Sequence, residues 1–162
     1  LETRNLDFDN VLIMSANDVA AGVAEHIGGT LEAFADIMNE RAKELGCLNT
    51  HFVNAHGYHD PDHYTTAYDM ALIAKYCMKN QTFRNTVAKP SCTIAATDKY
   101  EERYFRNTND LLNSSSQYYY KYAIGTKTGY TSQAKRCLIA TSLKDNIELI
   151  KNNQEKFVTL QR

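Results

Sequence analysis

Long apolar runs are absent. No stretch of 18 consecutive apolar residues occurs in the 162, so no segment reads as a membrane-crossing helix. An excess of one charge is absent too. The formal net charge is −1 at pH 7, which leaves no basic field to hold nucleic acid. Proline is scarce, and only Pro61 and Pro90 punctuate the chain. Cys47, Cys77, Cys92 and Cys137 include no Cys-x-x-Cys pair. They read as partly buried thiols; one disulfide stays open, because its pairing is not legible in spacing alone. There is no His-Glu-x-x-His, so His56, His59 and His63 with Asp60 and Asp62 read as loop structure rather than a metal site. No metal and no cofactor is expected. Internal repeats are lacking, and the only biased tract is Ser114–Ser116 with Tyr118–Tyr120. Those tyrosines read as surface and sheet packing before a carbohydrate platform. Leu1–Asp7 carries no secretory leader. A mature exported chain would lack one as well, so compartment is left open by this stretch.

What is present is ordinary for a folded globular domain: 43% apolar and 23% charged residues. A chain of this length can bury a sizeable core as one domain. Val11–Met14 is a short apolar run. Ser15 or Asn17 then stands where an N-cap belongs, and Asp18 puts a carboxylate in the first turn. Val19, Ala20, Val23, Ala24 and Ile27 recur on one face, which predicts a helix over 16–27, stopped by Gly28-Gly29. Thr30 caps a second helix; Ala33 occupies the place of a capping-box glutamate, so the box is absent. Phe34, Ile37, Met38, Ala42 and Leu45 form its apolar stripe, and Gly46 follows as C-cap.

A loop rich in His, Asn, Asp and Gly covers 49–64. Thr65 or Thr66 opens the next helix, which runs to about Asn80, and a short one follows over Gln81–Val87. After Pro90, Cys92–Thr97 reads as a strand, Asp98-Lys99 as a turn and Tyr100–Asn107 as the returning strand. Asn109–Leu112 looks like a short packed turn. An edge strand then ends in Lys127-Thr128-Gly129. Arg136–Leu143 is a central-strand candidate, Lys144–Asn146 a tight turn, and Ile147–Ile150 the strand that completes the hairpin. Glu155–Leu160 is weakly helical. Helices first and a small antiparallel sheet later predict an α+β organisation, with 11–90 mainly helical and 91–162 forming the sheet.

Two short motifs stand apart from this scaffold. Ser15-Ala16-Asn17 sits at a helix start behind an apolar segment, and Lys127-Thr128-Gly129-Tyr130 lies on a strand before a polar turn. Either alone is a common accident. The pair, each in its context, suits acyl transfer on a peptide with a free carboxylate. Such a site needs a cation, hydroxyls that pass a proton to the leaving amine, and backbone N–H groups for the oxyanion. Gly129 has no side chain, so a peptide backbone could lie against the strand.

These residues resemble the second and third motifs of the low-molecular-mass penicillin-binding D-alanyl-D-alanine carboxypeptidases. Ser15–Ala20 with Glu25–Gly29 is similar to the second motif and its helix. Asn54–Asp60 and His63–Ala71 are similar to the loop and helix that follow it. Asn107–Leu112 resembles the segment before the third motif, and Lys127–Thr131 with Ala134–Leu138 resembles that motif and its next strand. The likeness covers roughly residues 11 to 150. It implies a β-lactamase/transpeptidase-like fold, incomplete here, so that residues 1–162 are part of a catalytic domain. It also implies Ser15, Asn17 and Lys127 as catalytic residues and Thr128, Gly129 and Tyr130 as substrate-binding ones. Ser15 would join a proton relay, Asn17 would hold a substrate amide, and Lys127 would set the field. Thr128 would bind the terminal carboxylate, and the Tyr130 N–H would be half of the oxyanion hole. Some members carry an arginine for that carboxylate where Thr108 stands, which leaves the role unassigned. The implied partners are a peptidoglycan pentapeptide and β-lactams, and the implied location is extracytoplasmic, secreted or on the outer face of a bacterial cytoplasmic membrane.

The family's first motif, serine-x-x-lysine, does not occur before Ser15. Ser132-Gln133-Ala134-Lys135 has the spacing but runs into a strand, whereas the chemistry wants both side chains on one helical turn. The nucleophile is therefore expected outside this chain, on an N-terminal fragment of the same protein. Leu1–Asn10, short and polar where the family would have a helix, and the abrupt Lys151-Asn152-Asn153 fit such a reading. The alternatives are a class A β-lactamase-like hydrolase, for which the 49–64 loop offers Asp60 and Asp62 but no glutamate, or a non-catalytic fragment competent only with a nucleophile-bearing partner chain.

Overall fold

The computed structural model describes residues 8–152 and 157–160. Helices come first: α1 (Phe8–Leu12), α2 (Asn17–Gly28), α3 (Leu31–Glu44), α4 (Ala67–Cys77) and α5 (Gln81–Val87). A two-stranded ribbon of β1 (Ser91–Ile94) and β2 (Arg103–Arg106) follows. A 3₁₀ turn at Asp110–Leu112 leads into an antiparallel sheet in the order β3 (Ala123–Thr131), β4 (Lys135–Lys144), β5 (Ile147–Asn152) and β6 (Phe157–Leu160). This is the α+β arrangement expected.

Local chemistry accounts for most boundaries. The Thr30 hydroxyl accepts from the Ala33 N–H at 3.1 Å, Thr66 accepts from Asp69 N–H at 3.1 Å, and Asn80 accepts from Phe83 N–H at 3.0 Å. Each satisfies a donor that the first helical turn leaves unpaired. α2 and α3 bury alanines, Ala24, Ala35 and Ala42, rather than whole apolar stripes. Ile27 and Ile37 remain 59% and 45% exposed, contrary to the stripes read from periodicity.

The loop between α3 and α4 is tied down at several points. Asp69, 2% exposed, accepts from the Asn49 N–H and the Thr50 hydroxyl, each at 2.8 Å. The Asn39 side chain brackets Phe52, taking its N–H at 2.7 Å and donating to its carbonyl at 2.8 Å. A bridge joins His51 to Tyr64. His63 Nδ1 accepts from the Val53 N–H at 3.2 Å, and burial holds the His63 ring below the usual histidine range, against the pull of Asp60. His51 and His63 thus serve the loop's structure. Among the described residues no group of three or more His, Cys, Asp or Glu could hold a metal. Among the described residues no disulfide joins the four cysteines, and Cys47 and Cys92 are buried.

Three strand readings change. The β1–β2 ladder runs only from Ser91 opposite Arg106 to Ile94 opposite Arg103. The Thr97 hydroxyl accepts from Lys99 and Tyr100 N–H groups at 3.3 and 3.1 Å and widens the turn. β5 continues through Lys151 and Asn152 instead of stopping at Ile150. Residues 157–160, read as weakly helical, pair with β5 as β6, since ladder hydrogen bonds outweigh a small propensity; 153–156, like 1–7, lie outside the described residues. α1 also takes in Phe8–Asn10 from a stretch read only as polar.

The β4–β5 hairpin turns on Asp145 and Asn146, both at positive φ, 50° and 64°, the geometry that matches strand twist. β5 then alternates. Glu148, Ile150 and Asn152 are buried, and Ile147, Leu149 and Lys151 are exposed. On the buried side α4 packs against β5 and α5 against β3. Ala71, Ala74 and Ile150 form a core cluster joined by Ile139. Arg84 of α5 reaches both carboxylate oxygens of Glu148 at 3.0 Å, a largely buried ion pair whose breakage would strand a charge.

Candidate active site

Among the described residues β3 is an edge strand, paired on one side with β4. Its first half is locked. Gly125 is at φ 135°, and a Cβ there would stand 2.7 Å from Val87 Cγ2. Thr126 is 4% exposed, and its hydroxyl meets that of Thr141 at 2.6 Å. The second half, Lys127–Thr131, carries the motif and remains accessible.

Lys127 is where the two motifs meet. Its ammonium donates to Ser15 Oγ at 3.0 Å, across 112 residues of sequence, and to the Thr128 carbonyl at 2.8 Å. Burial pushes the Lys127 pKa below the ordinary lysine value. With the ammonium filling a lone pair of Ser15, the serine's own O–H is left to donate onward. Ser15 sits in the link between α1 and α2 at φ 62°. A serine in that left-handed region costs about 1 kcal/mol, and such strain collects at functional positions.

The reading of Ser15 or Asn17 as a helix cap is corrected. The N-cap of α2 is Ala16, without a side-chain hydrogen bond. The Ser15 hydroxyl is committed to Lys127 instead, and Asn17 is the first helical residue, exposed, two positions away.

Thr128 makes the next contact. Its hydroxyl is hydrogen-bonded to that of Thr108, from the segment between β2 and the 3₁₀ turn. Nothing local in the sequence flagged this pairing; only the place of Thr108 in the Asn107–Leu112 segment hinted at it. Gly129 is exposed, and a Cβ there would meet nothing within 4 Å. Tyr130 is 69% exposed at the strand's end. Ser132-x-x-Lys135 forms the β3–β4 turn and the first residue of β4, with Ser132 donating to the Gln133 side chain at 2.6 Å; it is not a helical pair. A hollow of about 320 Å³ elsewhere on the sheet, lined by residues including Leu111, Tyr120, Ala140 and Leu149, contains none of the motif residues. The chemistry-bearing groups gather on the β3 edge, not in that hollow.

The chain is 39% identical over 141 residues to the D-alanyl-D-alanine carboxypeptidase DacF of Bacillus subtilis, covering 86% of this chain and 34% of that protein. It therefore spans about a third of that relative's length. The crystal structure of a D-alanyl-D-alanine carboxypeptidase from Mycobacterium tuberculosis superposes with a TM-score of 0.79 at 28% identity, over 98% of this chain and 56% of that one. Penicillin-binding protein D2 from Listeria monocytogenes, in its cefotaxime-bound form, does so with a TM-score of 0.76 at 31% identity, over 92% and 57%. A family model matches residues 4–153, nearly the whole sequence, and by that match the chain belongs to the D-alanyl-D-alanine carboxypeptidase family.

Proposed function

We propose that the β3 edge and Ser15 are part of the site of a serine-type D-alanyl-D-alanine carboxypeptidase, which removes the terminal D-alanine from peptidoglycan stem peptides. The single observation that carries this is the Lys127–Ser15 contact at 3.0 Å. It joins a lysine on an edge strand to a serine at the foot of a helix, and uses both polar groups of the pair.

The roles follow from the atoms. A serine on polypeptide outside these 162 residues attacks the carbonyl of the penultimate D-alanine and forms an acyl-enzyme. The proton leaving the attacking serine's hydroxyl reaches the departing amine by way of Ser15 Oγ, which the Lys127 ammonium holds in place by its hydrogen bond. Lys127 supplies positive field where charge develops. The Thr128 hydroxyl donates to the substrate's terminal carboxylate, and Asn17 holds a substrate amide. The substrate backbone lies along the edge at Gly129, where no side chain intervenes. The Tyr130 N–H is one of two donors to the oxyanion, the nucleophile's own N–H being the other. Water then releases the shortened peptide.

In this reading residues 1–162 are part of one catalytic domain, 11–90 supplying the helical side and 91–162 the sheet. The polypeptide bearing the nucleophile is its necessary partner, and the domain works outside the cytoplasm, where its peptide substrate lies. β-Lactams acylate the same serine. The test is labelling of the complete protein with a fluorescent penicillin, followed by mapping of the labelled peptide. Label on a serine outside these residues is the expected result; failure of the complete protein to label at all overturns the reading.

A further inference from the structure

The Thr108–Thr128 pair has a consequence beyond the proposed roles, and rests on that reading of the β3 edge. Two hydroxyls in contact own two hydrogens and spend one on each other. One hydrogen is therefore left to the pair. It can leave from Thr128 only when Thr108 donates to Thr128 rather than accepting from it.

Thr108 is well held for this. Asn107, just before it, donates from its side chain to the Lys89 carbonyl at 3.0 Å and the Val87 carbonyl at 3.4 Å, and its N–H reaches the Pro90 carbonyl at 2.9 Å. Asn109, just after it, is 1% exposed. The Asn109 N–H donates to the Asn107 side chain at 2.9 Å, and the Asn109 side chain accepts from the Leu111 N–H at 3.2 Å. Both neighbours are pinned while Thr108 itself is exposed and bonded to β3. Val87, which anchors Asn107, is also the residue against which Gly125 packs. Thr108 and β3 thus share one rigid footing, as a preorganised contact requires.

We propose that Thr108 is a positioning residue for carboxylate recognition. It donates its hydrogen to Thr128 Oγ1 and thereby directs the Thr128 hydroxyl hydrogen outward, toward ligands that end in a free carboxylate. The pair is an uncharged anchor that distinguishes a carboxylate from its ester by the stronger hydrogen bond that its one outward hydrogen makes to a charged acceptor.

The experiment compares acylation of the complete protein by benzylpenicillin and by its methyl ester, in the wild type, Thr108→Val and Thr108→Ser. The wild type favours the free acid. Thr108→Val, which keeps shape and removes the hydroxyl, is expected to reduce that preference about tenfold, and Thr108→Ser to restore most of it. Thermal midpoints of all three report folding separately. If Thr108→Val slows acid and ester by the same factor, or slows neither, Thr108 does not position Thr128 and the inference is overturned alone. If the wild type is acylated by neither compound, the reading of the site falls and this inference with it.

Discussion

Gly125 and Gly129 stand four residues apart on one strand and answer to different demands. Gly125 is buried at positive φ, and any Cβ would drive into Val87 at 2.7 Å. Gly129 is exposed, with nothing within 4 Å of an added Cβ. The protein's own packing requires the first and is indifferent to the second. A glycine that no neighbour demands, on a strand edge that no described residue pairs with, fits a need from outside the fold: room for a backbone laid beside it. The buried half of β3 is thus an anchor, and the open half carries the two hydroxyl contacts, Ser15 on Lys127 and Thr108 on Thr128.

The largest effect is expected on the open half. Lys127→Ala in the complete protein should slow acylation by penicillin roughly 1000-fold, the scale of losing a preorganised electrostatic group. A loss below about tenfold would sink the assigned role. Stopped-flow or gel-based labelling rates measure it. On the anchored half the effect is on stability. Gly125→Ala must shift Val87 and strain the backbone together, and should lose about 3 kcal/mol or more in denaturant unfolding. Gly129→Ala should stay within about 0.5 kcal/mol. Equal losses at the two sites would erase the distinction between them.

The sequence showed local features well and distant ones poorly. Gln81–Val87 is a helix over the residues read from the pattern, and Thr30 caps as expected, because both depend on a few adjacent residues. Ser15 was misread as a possible cap for the opposite reason. Its hydroxyl is taken by a lysine 112 positions away, and no window of sequence contains both. The Thr108–Thr128 and Arg84–Glu148 pairs escaped in the same way, being contacts between segments that only the folded sheet brings together. At 157–160 a weak helical pattern yielded to pairing with β5, whose partner is likewise supplied by tertiary structure. The motif residues were legible because their types are unusual together, not because their meeting could be derived.

Gly129→Ala sharpens the comparison next, through activity rather than stability. Its backbone has no positive φ and its space is open, so alanine should fold normally. A methyl group on the edge would still hold a peptide or β-lactam off the strand. Acylation should fall about tenfold, the cost of one or two weakened hydrogen bonds, with the unfolding midpoint unchanged. Undiminished acylation would mean that no ligand backbone runs along this edge.

The smallest effect is a pH dependence at Lys127. Burial lowers its pKa in the folded protein from the ordinary 10.5. In the unfolded chain the amine keeps its proton up to that ordinary value. Between the lowered pKa and 10.5 the unfolded state therefore binds more protons, and the free energy of unfolding rises with pH. Below that window the whole penalty of burying the ammonium is present and constant; above it the penalty is gone. Lys127→Met carries no such term, and the other titrating groups cancel when the two proteins are compared. The stability of wild type relative to Lys127→Met should therefore be flat near neutral pH and move in favour of wild type as pH climbs toward 10.5. Denaturant midpoints of both proteins at pH 7 and pH 10 measure the slope. A shift in favour of the methionine variant would mean that the ammonium is held by a partner more strongly than burial disfavours it, and that the open half of β3 is less dry around Lys127 than its position indicates.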